Sequence, residues 1–248
     1  MLGLILHGVG RSRSVSAAAW TPAALSGLVG WWDAMTGITL AGSKVSGWAD
    51  QSGNGSDLVQ ATGSAQPTYQ STGWNSSKPT LSFDGINTWM STANATLTGL
   101  VNGTNSPFTV MAVVKAVSNT SFKILTGWDD GAGNGRYILG CDNAHKAFAT
   151  DGTNSRSATA TFDGSNIVVA YEVGGGTITS YLNGTLDFNG AVLGIAASGT
   201  TRFLLGLHPL GAFPWNGLVS EVVIYSAKYG ATEAAQFRTY AQAKWTGL

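Results

Sequence analysis

The stretch WADQSGNGSD, residues 48–57, sets Asp50, Ser52, Asn54 and Asp57 among two glycines. So many oxygens in one short run suit a calcium ion, a phosphate cradle or a hydrogen-bonded turn. As an EF-hand loop it puts Asp50, Ser52, Asn54 and Gly55 at positions one, three, five and six. Position twelve is Ala61, without the bidentate carboxylate that closes such a loop. No Gly-Lys-Ser/Thr ending follows, which removes the phosphate cradle. The favoured reading is a turn in which Asp and Asn side chains accept from nearby backbone N–H groups while glycine supplies left-handed conformations. A looser calcium site on Asp50, Asp57 and backbone carbonyls is the alternative.

Other chemistry is tested by spacing. Retaining glycoside hydrolysis needs two carboxylates about 5 Å apart, which on one strand means acidic residues two or four positions apart. Glu172 is followed by Val173 and Gly174, and Glu221 by Val222, Val223 and Ile224, so neither has a partner at that spacing. Glu221 reads as an exposed or hydrogen-bonded residue beside the last strand. His7, His145 and His208 are scattered, with no H-E-x-x-H pair and no G-x-S-x-G elbow anywhere. The single Cys141 can form neither an internal disulfide nor a zinc cluster and reads as a small buried hydrophobe. These residues argue against an enzyme.

The elements that position them are strands. Charged residues are 10 % of the 248, against roughly 25 % in an average protein, and 34 residues are glycine, a profile of short strands and tight turns. Lys+Arg and Asp+Glu balance at 13 each, so no field favours nucleic acid. No unbroken apolar run is long enough to insert into a membrane as a helix. Strands are predicted at 29–34, 80–85, 108–116, 121–128, 136–140, 166–173, 177–184, 202–207 and 218–227. Asn183-Gly184, between two alternating runs, predicts a type I′ hairpin. TPAALSG predicts one or two helical turns capped by Thr21 with Pro22 at the first position. ATEAAQFRTYAQAKW predicts a helix capped by Thr232 that turns Phe237, Tyr240, Ala241 and Trp245 to one face. Trp31, Trp32, Trp48 and Trp245 are expected to be buried. Residues 1–19 are read as an arm and 20–248 as one domain. Arg11 and Arg13 follow the apolar stretch of MLGLILHGVGRSR instead of preceding it, the wrong order for a secretion signal.

The runs GLVGWWDAMTGITL, VSGWADQSGNGSDLVQ, KPTLSFDGINTWMST, TITSYLNGTL and WNGLVSEVVIYSAKYGATEAAQFRTYAQAKW resemble the concanavalin A-like lectin/glucanase superfamily. They are similar in particular to laminin-G-like domains of bacteriophage virion proteins and bacterial surface proteins. The closing strand of E-V-V-I-Y type, followed by a helix ending in K-W, carries most of the likeness. The resemblance implies an all-β, antiparallel jelly-roll sandwich with a short C-terminal helix. The E-x-D-x-x-E strand of its glucanase members is missing here.

For carbohydrate, aromatic faces and fixed polar groups are needed. The loop candidates are Trp128, Asp129, Asp130, Asn134 and Arg136 in GWDDGAGNGR, with Asp142, Asn143 and His145 in CDNAHK. His208 and Trp215 form a second, weaker cluster, and Asp129, Asp130 and Asn134 could also hold calcium. The plain alternative is a set of polar hairpin loops. The expected role is a non-catalytic virion surface component that binds host or environmental glycan. Its arm would dock on other virion proteins through Leu2, Leu4, Ile5 and Leu6. The alternatives are a secreted bacterial carbohydrate-binding module and, behind it, a glycoside hydrolase; a purely structural shell protein with no ligand is the third reading.

Overall fold

The computed structural model describes residues 19–101, 106–117, 121–130, 135–150, 155–161, 164–191 and 199–248. Its first strands are β1 (Leu28–Asp33), β2 (Ile38–Ala41), β3 (Lys44–Trp48), β4 (Leu58–Val59), β5 (Thr68–Trp74), β6 (Lys78–Asp84) and β7 (Met90–Thr92). Then come β8 (Phe108–Ala116), β9 (Lys123–Asp129), β10 (Gly135–Cys141), β11 (Lys146–Thr150) and β12 (Ser155–Thr161). The last are β13 (Ile167–Gly174), β14 (Thr177–Leu182), β15 (Thr185–Ala191), β16 (Arg202–Leu205) and β17 (Asn216–Tyr225). Two α-helices accompany them, α1 (Ala95–Gly99) and α2 (Ala231–Lys244).

The named pairings are antiparallel and build two layers. One runs β15-β14-β13-β8-β17, and the free edge of β17 is shared by β6 along 216–219 and β1 along 221–225. The other runs β4-β7-β16-β9-β10-β11-β12, with β2 and β3 joined through β4. Between the layers lies an aromatic stratum. Trp32 stacks on Phe203 with centroids 5.7 Å apart, and Phe108 meets Trp128 at 5.2 Å and Tyr137 at 4.8 Å. Such pairs add about 0.5–1.5 kcal/mol each beyond their buried area. The Tyr171 hydroxyl crosses the layers to donate to the Gly140 carbonyl.

Central β8 shows why its sequence is an apolar run without alternation: only Lys115 among FTVMAVVKA is not buried. One face meets the opposite layer, and the other lies under α2, whose Ala234, Phe237 and Ala241 are buried. The Asn183-Gly184 hairpin forms as expected, with φ of 49° and 73°.

Local details differ from expectation. Thr21 makes no side-chain cap, and TPAALSG gives only a three-residue 3₁₀ turn, Pro22–Ala24. Helix α2 starts one residue before the expected Thr232 cap, because the Glu233 carboxylate accepts from the Gly230 N–H at 3.0 Å and closes the first turn. Trp32, Trp48 and Trp245 are buried, whereas Trp31 is half-buried, on the opposite side of β1 from Trp32. No helix among the described residues is long and apolar enough to cross a membrane.

Glu221 organises the α2 face. Fully buried, it accepts from Trp31 Nε1 (2.7 Å), the Tyr240 hydroxyl (2.8 Å), Lys244 Nζ (3.0 and 3.1 Å) and Trp245 Nε1 (2.6 Å). Of its two sequence readings, hydrogen-bonded holds and exposed does not. The K-W ending of the helix thus has a chemical reason: Lys244 neutralises, and Trp245 caps, a carboxylate from β17.

Candidate functional site

The WADQSGNGSD loop is a structural knot. Asp50 accepts from the backbone N–H of Trp31 (2.9 Å), Ser52 (2.8 Å) and Ser56 (3.0 Å) and from the Ser52 hydroxyl (2.6 Å). Asp57 accepts from the Asp50 N–H at 2.8 Å. Donors surround the Asp50 carboxylate, as in the turn reading. Asp84 in the FDG turn behaves alike. Burial pushes its carboxyl up, but hydrogen bonds from Ile86, Asn87 and Thr88 outweigh this and hold it below its ordinary value. Among the described residues no group of three or more His, Cys, Asp or Glu is placed to hold a metal.

The loop candidates separate into two groups. Asp129 pairs in register with Gly135 at one end of β10, and Lys123 with Cys141 at the other. Six residues of strand, about 20 Å at roughly 3.3 Å each, therefore divide GWDDGAGNGR from CDNAHK, and the two do not form one site. Trp128 must be corrected. Strand β9 continues through Asp129, so Trp128 points inward, fully buried, its indole N–H on the Leu97 carbonyl at 3.0 Å. It has no face for a sugar.

Asp129 is buried against Arg202, whose guanidinium lies 5.6 Å over the ring of partly exposed Trp89. Asp130 is partly buried beside it. Arg136 lies in β10, opposite Trp128. Asp142 is also buried, accepting from the N–H groups of Ala144 (2.8 Å) and Lys146 (3.0 Å) in a hairpin turn where Asn143 is exposed and His145 takes φ 60°. Cys141 is buried, in keeping with its reading as a small hydrophobe. Asn134 and the arm residues Leu2, Leu4, Ile5 and Leu6 lie outside the described residues.

A different hollow stands on the outer face of the second layer. Ile124 of β9 and Ile138 of β10 floor it, and Phe148 and Thr150 of β11 form one wall. Phe122 forms another, and the 206–215 loop between β16 and β17 completes it with His208 and Phe213. Register explains the dent: Gly140 stands opposite both Ile124 and Phe148 and contributes no side chain. A Cβ at Gly140 would lie 2.0 Å from the Lys123 carbonyl oxygen. The cavity holds about 170 Å³, and no carboxylate lines it. Its rings meet edge to face, Phe122 with Phe148 at 4.9 Å and with Phe213 at 5.9 Å, and His208 with Phe213 at 6.0 Å.

The loop is pinned to the sheet. Gly206 N–H donates to Leu125 O (2.7 Å), Ile124 N–H to Phe213 O (3.0 Å) and Trp215 N–H to Gly206 O (2.8 Å). Trp215 itself is buried, so it does not join His208 as expected. Nδ1 of His208 accepts from the Leu210 N–H at 3.0 Å, which assigns the proton of the neutral ring to Nε2. Burial holds this imidazole below its ordinary pKa and so in the neutral form. Phe213 is 44 % exposed and sits at φ 50°, a left-handed conformation that costs a non-glycine residue about 1–2 kcal/mol. An exposed aromatic ring held in a costly backbone state makes Phe213 a candidate contact residue.

Sequence reasoning found His208 but missed Phe122, Phe148 and Phe213, along with Trp89 and Arg202. One signal was available: a phenylalanine in the turn-rich GAFPWNG has no strand in which to hide.

A family model described as the concanavalin A-like lectin/glucanases superfamily matches residues 84–235. The chain belongs to this superfamily. Solved structures agree on the superfamily's fold. A Trypanosoma rangeli sialidase in complex with sialic acid superposes with a TM-score of 0.63 at 18 % identity, over 92 % of this chain and 34 % of that one. Domain 4 of AbnA, an extracellular arabinanase from Geobacillus stearothermophilus, in complex with arabinotriose, gives 0.60 at 12 % over 86 % and 98 %. The receptor binding domain of botulinum neurotoxin type G gives 0.61 at 9 % over 87 % and 51 %. At these identities the likeness is one of fold, and the chain spans about a third of the length of the sialidase it matches. Comparison with curated proteins returns no match.

Proposed function

We propose that the chain is a non-catalytic carbohydrate-binding sandwich carried at the surface of a bacteriophage particle, with the 206–215 hollow as its sugar site. Phe213 carries the reading. A sugar ring presents an apolar face that packs on an exposed aromatic ring, while a few fixed polar groups set its orientation. Phe213 and the neutral His208 supply one of each. The lining has no acid to protonate a leaving group and no carboxylate nucleophile, which supports binding without cleavage. The arabinotriose held by the similar arabinanase domain is consistent with sugar binding on such a scaffold.

A glycan array of the full chain beside Phe213→Ala tests the site. Binding that disappears in the variant, with an unchanged near-ultraviolet dichroism spectrum, supports it, and binding that persists moves the site elsewhere. The virion assignment rests on the likeness to laminin-G-like phage domains and on the apolar arm. Four buried side chains, Leu2, Leu4, Ile5 and Leu6, could supply several kcal/mol of docking before ordering costs. A chain lacking residues 1–13 is then expected to fold but no longer to co-sediment with particles. Normal incorporation removes the arm from the account, and a chain that never co-sediments favours a secreted bacterial module instead.

A further inference from the structure

We infer that the hollow receives the acetamido group of an N-acetylated sugar, with the ring itself lying across Phe213 at the mouth. The inference rests on the carbohydrate reading and deepens it. The floor and walls are almost wholly hydrocarbon, from Ile124, Ile138, Phe122 and Phe148, and the polar side chains on the lining are Thr150 and His208. An unmodified hexose pushed into about 170 Å³ would carry several hydroxyl groups past these walls and strand most of them without a partner, at a penalty no stacking recovers. A substituent that enters alone must therefore be compact, apolar at its tip, and able to accept one hydrogen bond.

Chemistry narrows the choice further. No lysine or arginine lines the hollow, so a carboxylate or sulfate substituent would be buried without a countercharge. No carboxylate lines it either, so a protonated amino sugar finds no anion. A deoxy sugar's methyl group would fill the space but leave the donor on His208 unused. That donor is Nε2–H, because Nδ1 is taken by the Leu210 N–H and burial keeps the ring neutral. An acetamido group meets both demands. Its methyl group packs on Ile124, Ile138 and Phe148, and its carbonyl oxygen accepts from Nε2 of His208.

The test is titration calorimetry of the full chain with N-acetylglucosamine and N-acetylgalactosamine, each against its parent hexose and its free amine. Saturation-transfer NMR on the same samples reads which ligand protons touch the protein. The expected result is an N-acetyl preference on the order of tenfold or more over the parent sugar, the discrimination one methyl group plus one buried hydrogen bond provides. The acetyl methyl should show the strongest saturation. His208→Phe should reduce the preference to less than about threefold, and a preference that stays near tenfold in this variant would overturn the hydrogen bond to Nε2. Equal affinity for acetylated and parent sugars would overturn the acetamido assignment and leave carbohydrate binding standing. If none of these sugars binds, the inference falls. An array of other glycans then separates the cases, since binding there spares the carbohydrate reading and a blank array removes that reading too.

Discussion

Replacing Glu221 by alanine is expected to be the most damaging single change outside the aromatic stratum. The side chain is wholly buried and bonded to four others: Trp31, Tyr240, Lys244 and Trp245. Lys244 retains a second anion, Asp33, at 2.7 Å, so its charge is not abandoned. The Trp31 indole, the Tyr240 hydroxyl and the Trp245 indole lose their acceptor. The Trp245 donor is buried, and stranding it costs about 1–3 kcal/mol, whereas Trp31 and Tyr240 are half-buried; breaking a buried ion pair by removing one partner costs about 3–5 kcal/mol. Because these figures overlap rather than add, the expected loss is about 4 kcal/mol. In a domain of this size each kcal/mol lowers Tm by about 2–4 °C, giving a fall of roughly 8–16 °C by calorimetry. Amide exchange should locate the damage, with α2 losing protection before β8 and β13. A Tm within about 3 °C of wild type, or loss of protection spread evenly through both layers, would refute the view that this carboxylate fastens the helix.

Other changes test other parts of the account. Phe213→Gly relieves the φ of 50° and should leave stability within about 1 kcal/mol of wild type or raise it while abolishing glycan binding; a large fall in Tm would mean the ring is structural. Glu172 is pushed up to about 8, first by burial and then by Glu233, against the pull of Lys228 and a Tyr181 hydrogen bond. The folded state therefore holds a proton that the unfolded state has released, so urea-measured stability should fall as pH rises from about 5 to about 8, by at most roughly 1.4 kcal/mol per unit. Glu172→Gln should flatten that slope, and an unaltered slope assigns it to another group. Asp50→Ala removes the acceptor of four hydrogen bonds and should cost about 2–3 kcal/mol with no dependence on added calcium. A wild-type Tm that climbs with calcium would reopen the metal reading.

The layered architecture was legible because its strands are apolar runs bounded by glycine and asparagine, and because Asn183-Gly184 permits little but a tight hairpin. Helix α2 was legible from Phe237, Ala241 and Trp245 falling on one face. What escaped is what depends on contacts distant in sequence. Trp128 closes the strand predicted at 121–128 and also counts as a loop candidate, because the aspartates after it look like a turn; β9 in fact runs one residue further and alternation turns the indole inward. The partners of Glu221 lie between 19 and 190 residues away, beyond any local pattern. The hollow arises only where the 206–215 loop folds back over β9, β10 and β11, so Phe122, Phe148 and Phe213 share no spacing that periodicity could detect.

Strand β17 is the keystone of the first layer, pairing with β1, β6 and β8, and three of the four partners of its carboxylate come from residues 240–245. During synthesis, β1, β6 and β8 therefore leave the ribosome with bare edges and must wait until more than 200 residues have been made before the strand that joins them arrives. Such an interval invites pairing between nascent chains. The cell that makes this protein is thus expected to need a holding chaperone or slow, low-temperature expression to recover it in monodisperse form.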